Sequence, residues 1–443
     1  MPSRKSSLHH GRVHHGRAAG AALRFSTAFP AALVVFGVLA ACGTRDSGSV
    51  DTARGATLEP TAEEVYRVGS MSGDAWDGFT RISSLAFDAE GRLVILDQGQ
   101  RRVHIVAPDG SHVRSFGTTG DGPGEFRSPS GVAVLEDGRI VVSDGGHSSF
   151  LTFTPEGRWL RSHSMDPGGG LPGPRLQPQG STAVVAIAQG FRVEVTAGSG
   201  PPRMPSTVPI RRWELDGESD PETLIEAWRP ERPQPGAVSL GAGAMASMAP
   251  RALEPQVHLA VLPDGRLAVA DTSSYRIRIY GPAGPGDGEP VTIGREIAPM
   301  PVGPAEEEAE RMRRLADLEA GGGPRVEAVL AGPGGSVSPV PQEQIREMLK
   351  AQVDQLRFWH EVPVILRLAS DLEGRLWVER SAGIGEEGPI DILRADGEWL
   401  GTIEPGGLRT PMAFGPQGLA AWIETDDLDV PYVRVARLQL LPE

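Results

Sequence analysis

LAFDAEGRLVILDQGQRRVHIV at residues 85–106 and VAVLEDGRIVVSDGGHSSFLTF at residues 132–153 are one pattern written twice. Each opens on a short apolar run (Leu85-Ala86-Phe87; Val132-Ala133-Val134). A Gly-Arg turn and a β-type run ending in Asp follow, and a second β-type run closes the unit. Ala86 to Ala133 and Asp97 to Asp144 are both 47 residues apart. Short strands separated by Gly turns, repeating at a period in the forties, are the signature of propeller blades.

Moving outward, the pattern returns around Leu259-Ala260-Val261 with Asp264-Gly265-Arg266 and Asp271, again around Leu368-Ala369 with Glu373-Gly374-Arg375, and finally around Met412-Ala413-Phe414. A weaker copy lies between Ser181 and Trp228, where the Asp-Gly-Arg turn is missing. Six copies result. A lone strand at Glu63–Val68 precedes the first and is expected to complete the last blade, sewing the chain ends together. The predicted class is all-β: a six-bladed β-propeller over residues 62–443, with a helical insertion at about 299–361 between blades 4 and 5. In that insertion, residues 305–320 and 342–358 read as helices. Their apolar stripes are Ala309, Met312 and Leu315, then Ile345, Leu349, Val353 and Leu356. Such a pair is expected to cap the channel or a blade edge.

The linker FGTTGDGPGEF (residues 116–126), leading to Pro129, resembles the signature of NHL-repeat propellers, which implies six blades. The resemblance is strong over residues 82–165 and diluted afterwards. With its Asp-rich turn and VPYVRV at residues 430–435, the chain also resembles a group of uncharacterised bacterial exported propellers.

Residues 1–41 carry Arg4, Lys5, Arg12, Arg17 and Arg24, no acid, and a terminal apolar run of thirteen residues, Phe29 to Ala41. That run suits a secretory signal better than a membrane span. Leu39-Ala40-Ala41-Cys42 resembles a bacterial lipobox, and Cys42 is the only cysteine in the chain. The expectation is a signal peptide over 1–41, a diacylglyceryl group on Cys42, and a flexible tether over 42–61. Gly43 and Thr44 follow the cysteine where an acid would favour the inner membrane, so the implied address is the periplasmic side of an outer membrane, or the cell surface.

The formal net charge is −14, and removing residues 1–41 removes cations only. Such a surface repels phosphate backbones, so nucleic acid is not an expected partner. The expected partner, besides the membrane, is an envelope protein, a peptide or a glycan, bound by a monomer.

Chemistry is harder to read. Peptidyl-amidoglycolate lyase propellers, which share NHL-like repeats, bind zinc through inner-strand histidines three residues before the small residue of the repeat. Here those positions are Ser83, Ser130, Val257 and Leu366, while His258 stands one residue out of phase. Calcium-dependent lactonase propellers use Asn, and this chain has none. The acidic run Glu424, Asp426, Asp427 and Asp429 reads as a solvated turn in preference to a cation site. Asp97, Asp144 and Asp271 recur at one position, which argues for blade building, because a catalytic group is needed once. The ligand-facing candidates are His147, His258, Trp359 and His360. No catalytic residue and no cofactor emerge; a divalent cation is the only cofactor considered. Binding or scaffolding is the expected role, with a metal-assisted hydrolase or lyase in the channel as the rival.

Overall fold

The computed structural model describes residues 57–71, 76–165, 170–189, 206–217, 219–231, 251–319, 329–331, 337–339, 342–406 and 408–442. The expected signal peptide, lipobox, Cys42 and the start of the tether lie outside these residues.

Six antiparallel sheets follow one another along the chain. Blade 1 runs Ile82–Phe87, Leu93–Asp97, Arg102–Val106 and His112–Phe116 from the inside outward. Blade 2 repeats it with Pro129–Val134, Ile140–Asp144, Ser149–Phe153 and Trp159–Ser164. Blade 4 spans His258–Val261 to Val291–Gly294, and blade 5 spans Ile365–Ser370 to Trp399–Ile403. Blade 6 takes Ala413–Phe414, Leu419–Thr425 and Pro431–Pro442, and its outer strand is Leu58–Val68 from the other end of the chain. The closing strand starts at Leu58, so the tether expected to reach residue 61 ends earlier. Leu58 is buried between blades 5 and 6, which draws the chain into the sheet at that point.

Why these stretches make blades is visible in their second strands. Leu93–Asp97 and Ile140–Asp144 are buried at every position, because a neighbouring blade covers each face of the sheet. An apolar cluster fills each of the six interfaces; between blades 1 and 2 it contains Leu96, Phe116, Phe126, Val132 and Phe153. Gly91, Gly138, Gly265 and Gly374 occupy one turn position with φ between 75° and 84°, a region a side chain would strain. The repeated Asp builds the blade-to-blade corners, as expected. Asp97 accepts the Thr80, Arg81 and Gln100 N–H groups at 2.8, 3.0 and 3.1 Å. Asp144 likewise accepts those of Arg127, Ser128 and Gly146 at 2.8, 2.8 and 3.0 Å.

Blade 3 is the irregular one. Its inner position is split into Leu171–Pro172 and Gln177–Gln179, both paired with Ala183–Gln189. Pro172, Pro174 and Pro178 have no N–H to give a continuous ladder. The backbone of the break passes so close to blade 2 that a Cβ on Gly131 would lie 2.6 Å from the Pro174 carbonyl oxygen.

The insertion leaves and returns through a short pairing of Met300–Pro301 with Glu361–Val362. Helix α1 spans Pro304–Glu319 and helix α2 spans Gln342–Asp354. In α2 the predicted stripe holds, with Ile345 and Val353 buried. In α1 it does not: Ala309 and Met312 are exposed, and Glu310 and Leu318 face inward. The reason is electrostatic. Arg313 and Arg314 both pair with the Glu310 carboxylate, at 2.8 and 2.7 Å, which permits its burial.

Candidate functional site

Inner strands of all six blades line a central cavity of about 420 Å³. It reaches the rim where those strands end, at Asp88, Glu136, Pro263, Leu372 and Phe414. The opposite rim, where the inner strand of blade 5 begins, carries a second cavity shared with α1 through Glu310 and Arg313.

The alignment of the inner strands differs from the simple alternation read in the sequence. Register shifts between Ile82 and Ser84, Pro129 and Gly131, and Ile365 and Arg367 make Ser83, Ser130 and Leu366 bulge residues. The paired positions are therefore Ser84, Gly131, His258 and Arg367, opposite Leu96, Ser143, Ala270 and Glu379. His258 is in register with Ser84, Gly131 and Arg367, one residue after Ser83, Ser130, Val257 and Leu366, which is the offset its spacing indicates.

Two arginines dominate the cavity. Arg175 comes from the break in blade 3, Arg367 from the inner strand of blade 5, and both line the wall. Burial and repulsion from Arg175 lower the Arg367 pKa to about 10, with Glu379 opposing the shift. Partial desolvation likewise lowers Arg175, which remains exposed to the channel. His258 is pushed down to about 4, first by burial and then by the positive charge of Arg175, so it is neutral at pH 7. Arg367 Nη2 reaches the Pro411 carbonyl at 3.3 Å, while its Nε is buried without a partner. Arg175 makes no hydrogen bond or ion pair among the described residues. The nearby carboxylate, Glu379, accepts the Thr410 hydroxyl at 3.0 Å instead. Two acids at the mouth are committed to turns, Asp88 binding Arg92 and Asp371 binding Arg375 and the Trp377 indole N–H, while Glu136 is exposed.

An uncompensated, desolvated charge costs stability. For a base whose folded pKa is depressed, the penalty is present below the folded pKa and relieved as pH rises through it. Arg367→Met is therefore expected to raise stability at pH 7 by about 1–2 kcal/mol, after discounting for channel water, as read by urea denaturation. A less stable variant would show that Arg367 is compensated.

The sequence candidates are placed as follows. His147 bridges Asp144, through Nδ1 at 2.9 Å, and Asp121, through Nε2 at 3.3 Å, at a blade corner. Trp359 donates its indole N–H to Ser273 at 3.1 Å, and Arg251 lies 4.3 Å over its ring. His360 is exposed and packs against Trp359. Of the four, His258 alone lies near the paired arginines. Among the described residues no group of three or more His, Cys, Asp or Glu is disposed to hold a metal ion. Asp426 accepts the Leu428 and Val430 N–H groups, and Glu424 binds Tyr432 and Arg434, so the acidic run is a bonded turn. No helix of the described residues is long and apolar enough to cross a membrane.

Arg175 and Arg367 escaped the sequence reading. For Arg367 a signal existed: a charge at an inner-strand position where blades 1 and 2 have Ser84 and Gly131. Arg175 had none, because blade 3 has lost the repeat around it.

The NHL repeat model matches residues 126–153. No protein of curated function matches the sequence significantly. Among solved structures, a DUF4221 family member from Bacteroides vulgatus is similar at 10% identity and a TM-score of 0.48, over 88% of this chain and 100% of that one. A Bacteroides fragilis protein whose name describes it as exported is similar at 10% identity and a TM-score of 0.46, over 87% and 95%. The calcium-binding regucalcin of Agrobacterium tumefaciens is similar at 13% identity and a TM-score of 0.38, over 86% and 96%. Likeness at this level carries no information about activity.

Proposed function

We propose that this chain is an exported, lipid-tethered binding module that receives its ligand in the propeller channel. The observation that carries the reading is the cavity itself: every blade contributes to its wall, and two arginines stand in it without a matching ion pair. Rigid strands fix the wall while loops at the rim remain free to select what enters. The insertion occupies the other rim at blade 5, so entry falls to the rim at Leu372 and Phe414. The tether at Cys42 would hold the module at the envelope, where a protein, peptide or glycan can present the bound group. Excess positive charge in the channel opposes a divalent cation there, which leaves the metal-assisted hydrolase the weaker reading.

A melting screen of the full-length protein against small anionic and neutral molecules tests this. Stabilising compounds are expected, and Met412→Trp, which narrows the channel, should cancel them. Compounds that stabilise the blocked variant equally would place the ligand elsewhere and overturn the reading. In the same cells, Cys42→Ser should leave the membrane fraction; its retention would overturn the tether.

A further inference from the structure

We infer that the channel ligand carries a carboxylate on an apolar body, its head held between Arg175 and Arg367 and its body lying toward the open rim. This inference rests on the channel reading above and names the chemical class.

The geometry supplies a head site and a body site. Arg175 comes from the break in blade 3 and Arg367 from the start of the blade 5 inner strand, and both residues line the cavity. Arg367 Nε is a buried donor with nothing to bond, and Arg175 has no partner among the described residues. Guanidinium donors without a protein partner, Arg367 half-buried and Arg175 exposed to the channel, suit an oxyanion, which satisfies them and reduces their repulsion. The nearby acid, Glu379, accepts the Thr410 hydroxyl and forms no ion pair with either arginine, so its charge acts on them only at a distance.

Charge counting selects the type of anion. Two arginines against Glu379, with His258 neutral, leave one positive charge in excess, which a monoanion matches. A phosphate dianion would overshoot beside Glu379. Toward the rim the wall turns apolar: Phe87, Val261, Met412 and Phe414 are half-buried around the cavity and Leu372 is exposed. Two of the acids on that rim, Asp88 and Asp371, are neutralised by Arg92 and Arg375 at 2.6 Å each, and the third, Glu136, is exposed to solvent, which screens its charge. A cavity of about 420 Å³ accepts a short acyl chain or one or two apolar residues.

Two sources share this chemistry, a free carboxylic acid and the C-terminus of a short apolar peptide. The test is calorimetric titration of the full-length protein in non-ionic detergent. The probes are hexanoate, hexanamide, N-acetyl-Leu-Leu with a free or an amidated C-terminus, and inorganic phosphate. Each free carboxylate that fits should bind at least about tenfold more tightly than its amide, and whichever of hexanoate and the dipeptide binds more tightly identifies the source. Arg175→Gln and Arg367→Gln should each cost about tenfold, and the double variant should erase the preference for acid over amide. Circular dichroism melts confirm that the variants fold, which the stabilisation expected for Arg367→Met favours. Amides that bind as tightly as acids, an unchanged double variant, or phosphate binding more tightly than either acid would overturn the carboxylate while leaving the channel as the binding site. Failure of every probe to bind, together with a melting screen without hits, would overturn both.

Discussion

Deletion of residues 57–68 is expected to abolish the cooperative unfolding transition of the propeller, not merely to shift it. This segment is the outer strand of blade 6, paired with Pro431–Pro442 from Leu58↔Pro442 to Val68↔Val433. Tyr66 and Val68 belong to the apolar cluster between blades 6 and 1, and Leu58 to the one between blades 5 and 6. Losing the strand therefore exposes a sheet edge and opens apolar contacts at two interfaces, leaving blade 6 joined to blade 1 by side-chain packing alone. The pairing offers a rescue. Because Leu58 lies opposite Pro442, the same strand grafted after residue 442 through a two-residue Asp-Gly turn forms a hairpin in the native register. The deletion should give a broad, non-cooperative urea transition, and the graft should restore a sharp one. A deletion variant that melts cooperatively near the wild-type temperature would show that the ring does not depend on the joined ends.

The second large effect is expected at Asp391. This carboxylate is fully buried, with Arg295 Nη1 at 2.6 Å, Arg380 Nε at 3.0 Å and the Thr402 hydroxyl at 2.6 Å. It joins the end of blade 4, through Arg295, to the second and outer strands of blade 5. Burial, and next the Asp391 charge, also push the neighbouring Tyr275 hydroxyl well above its usual pKa. Asp391→Ala leaves two arginines partly buried without their counter-ion, so a loss of about 3–5 kcal/mol is expected in urea denaturation. Asp391→Leu combined with Arg380→Met should recover part of that loss, because removing both charges spares the desolvation of the survivor. A loss below about 1 kcal/mol for the single variant would mean that solvent screens the cluster.

Blade identity was legible in the chain because a blade is a local object. Asp137-Gly138-Arg139 makes its turn from its own atoms: Asp137 accepts the Arg139 N–H at 3.1 Å and its guanidinium at 2.6 Å. The left-handed glycine follows directly from that turn, and Asp264-Gly265-Arg266 repeats it. Even ring closure could be read, since Glu63–Val68 is a strand with no neighbour in sequence to pair with. Helix α1 is an intermediate case: its helicity was evident from spacing, but which face it buries was not. The pairing of Glu310 with Arg313 and Arg314 reverses the preference that Met312 alone suggests.

Sequence by itself thus determined a six-fold repetition, its turns, the helical insertion and the joining of the chain ends, all consequences of interactions within a few residues or of one unmatched strand. Tertiary structure alone decided what fills the axis. Three bulges shift the inner-strand register by one residue, and a proline-rich break frees Arg175 from the repeat. Closing the ring then brings that side chain to the same cavity as Arg367. Their proximity is a product of the ring, not of any segment, and no local pattern encodes it.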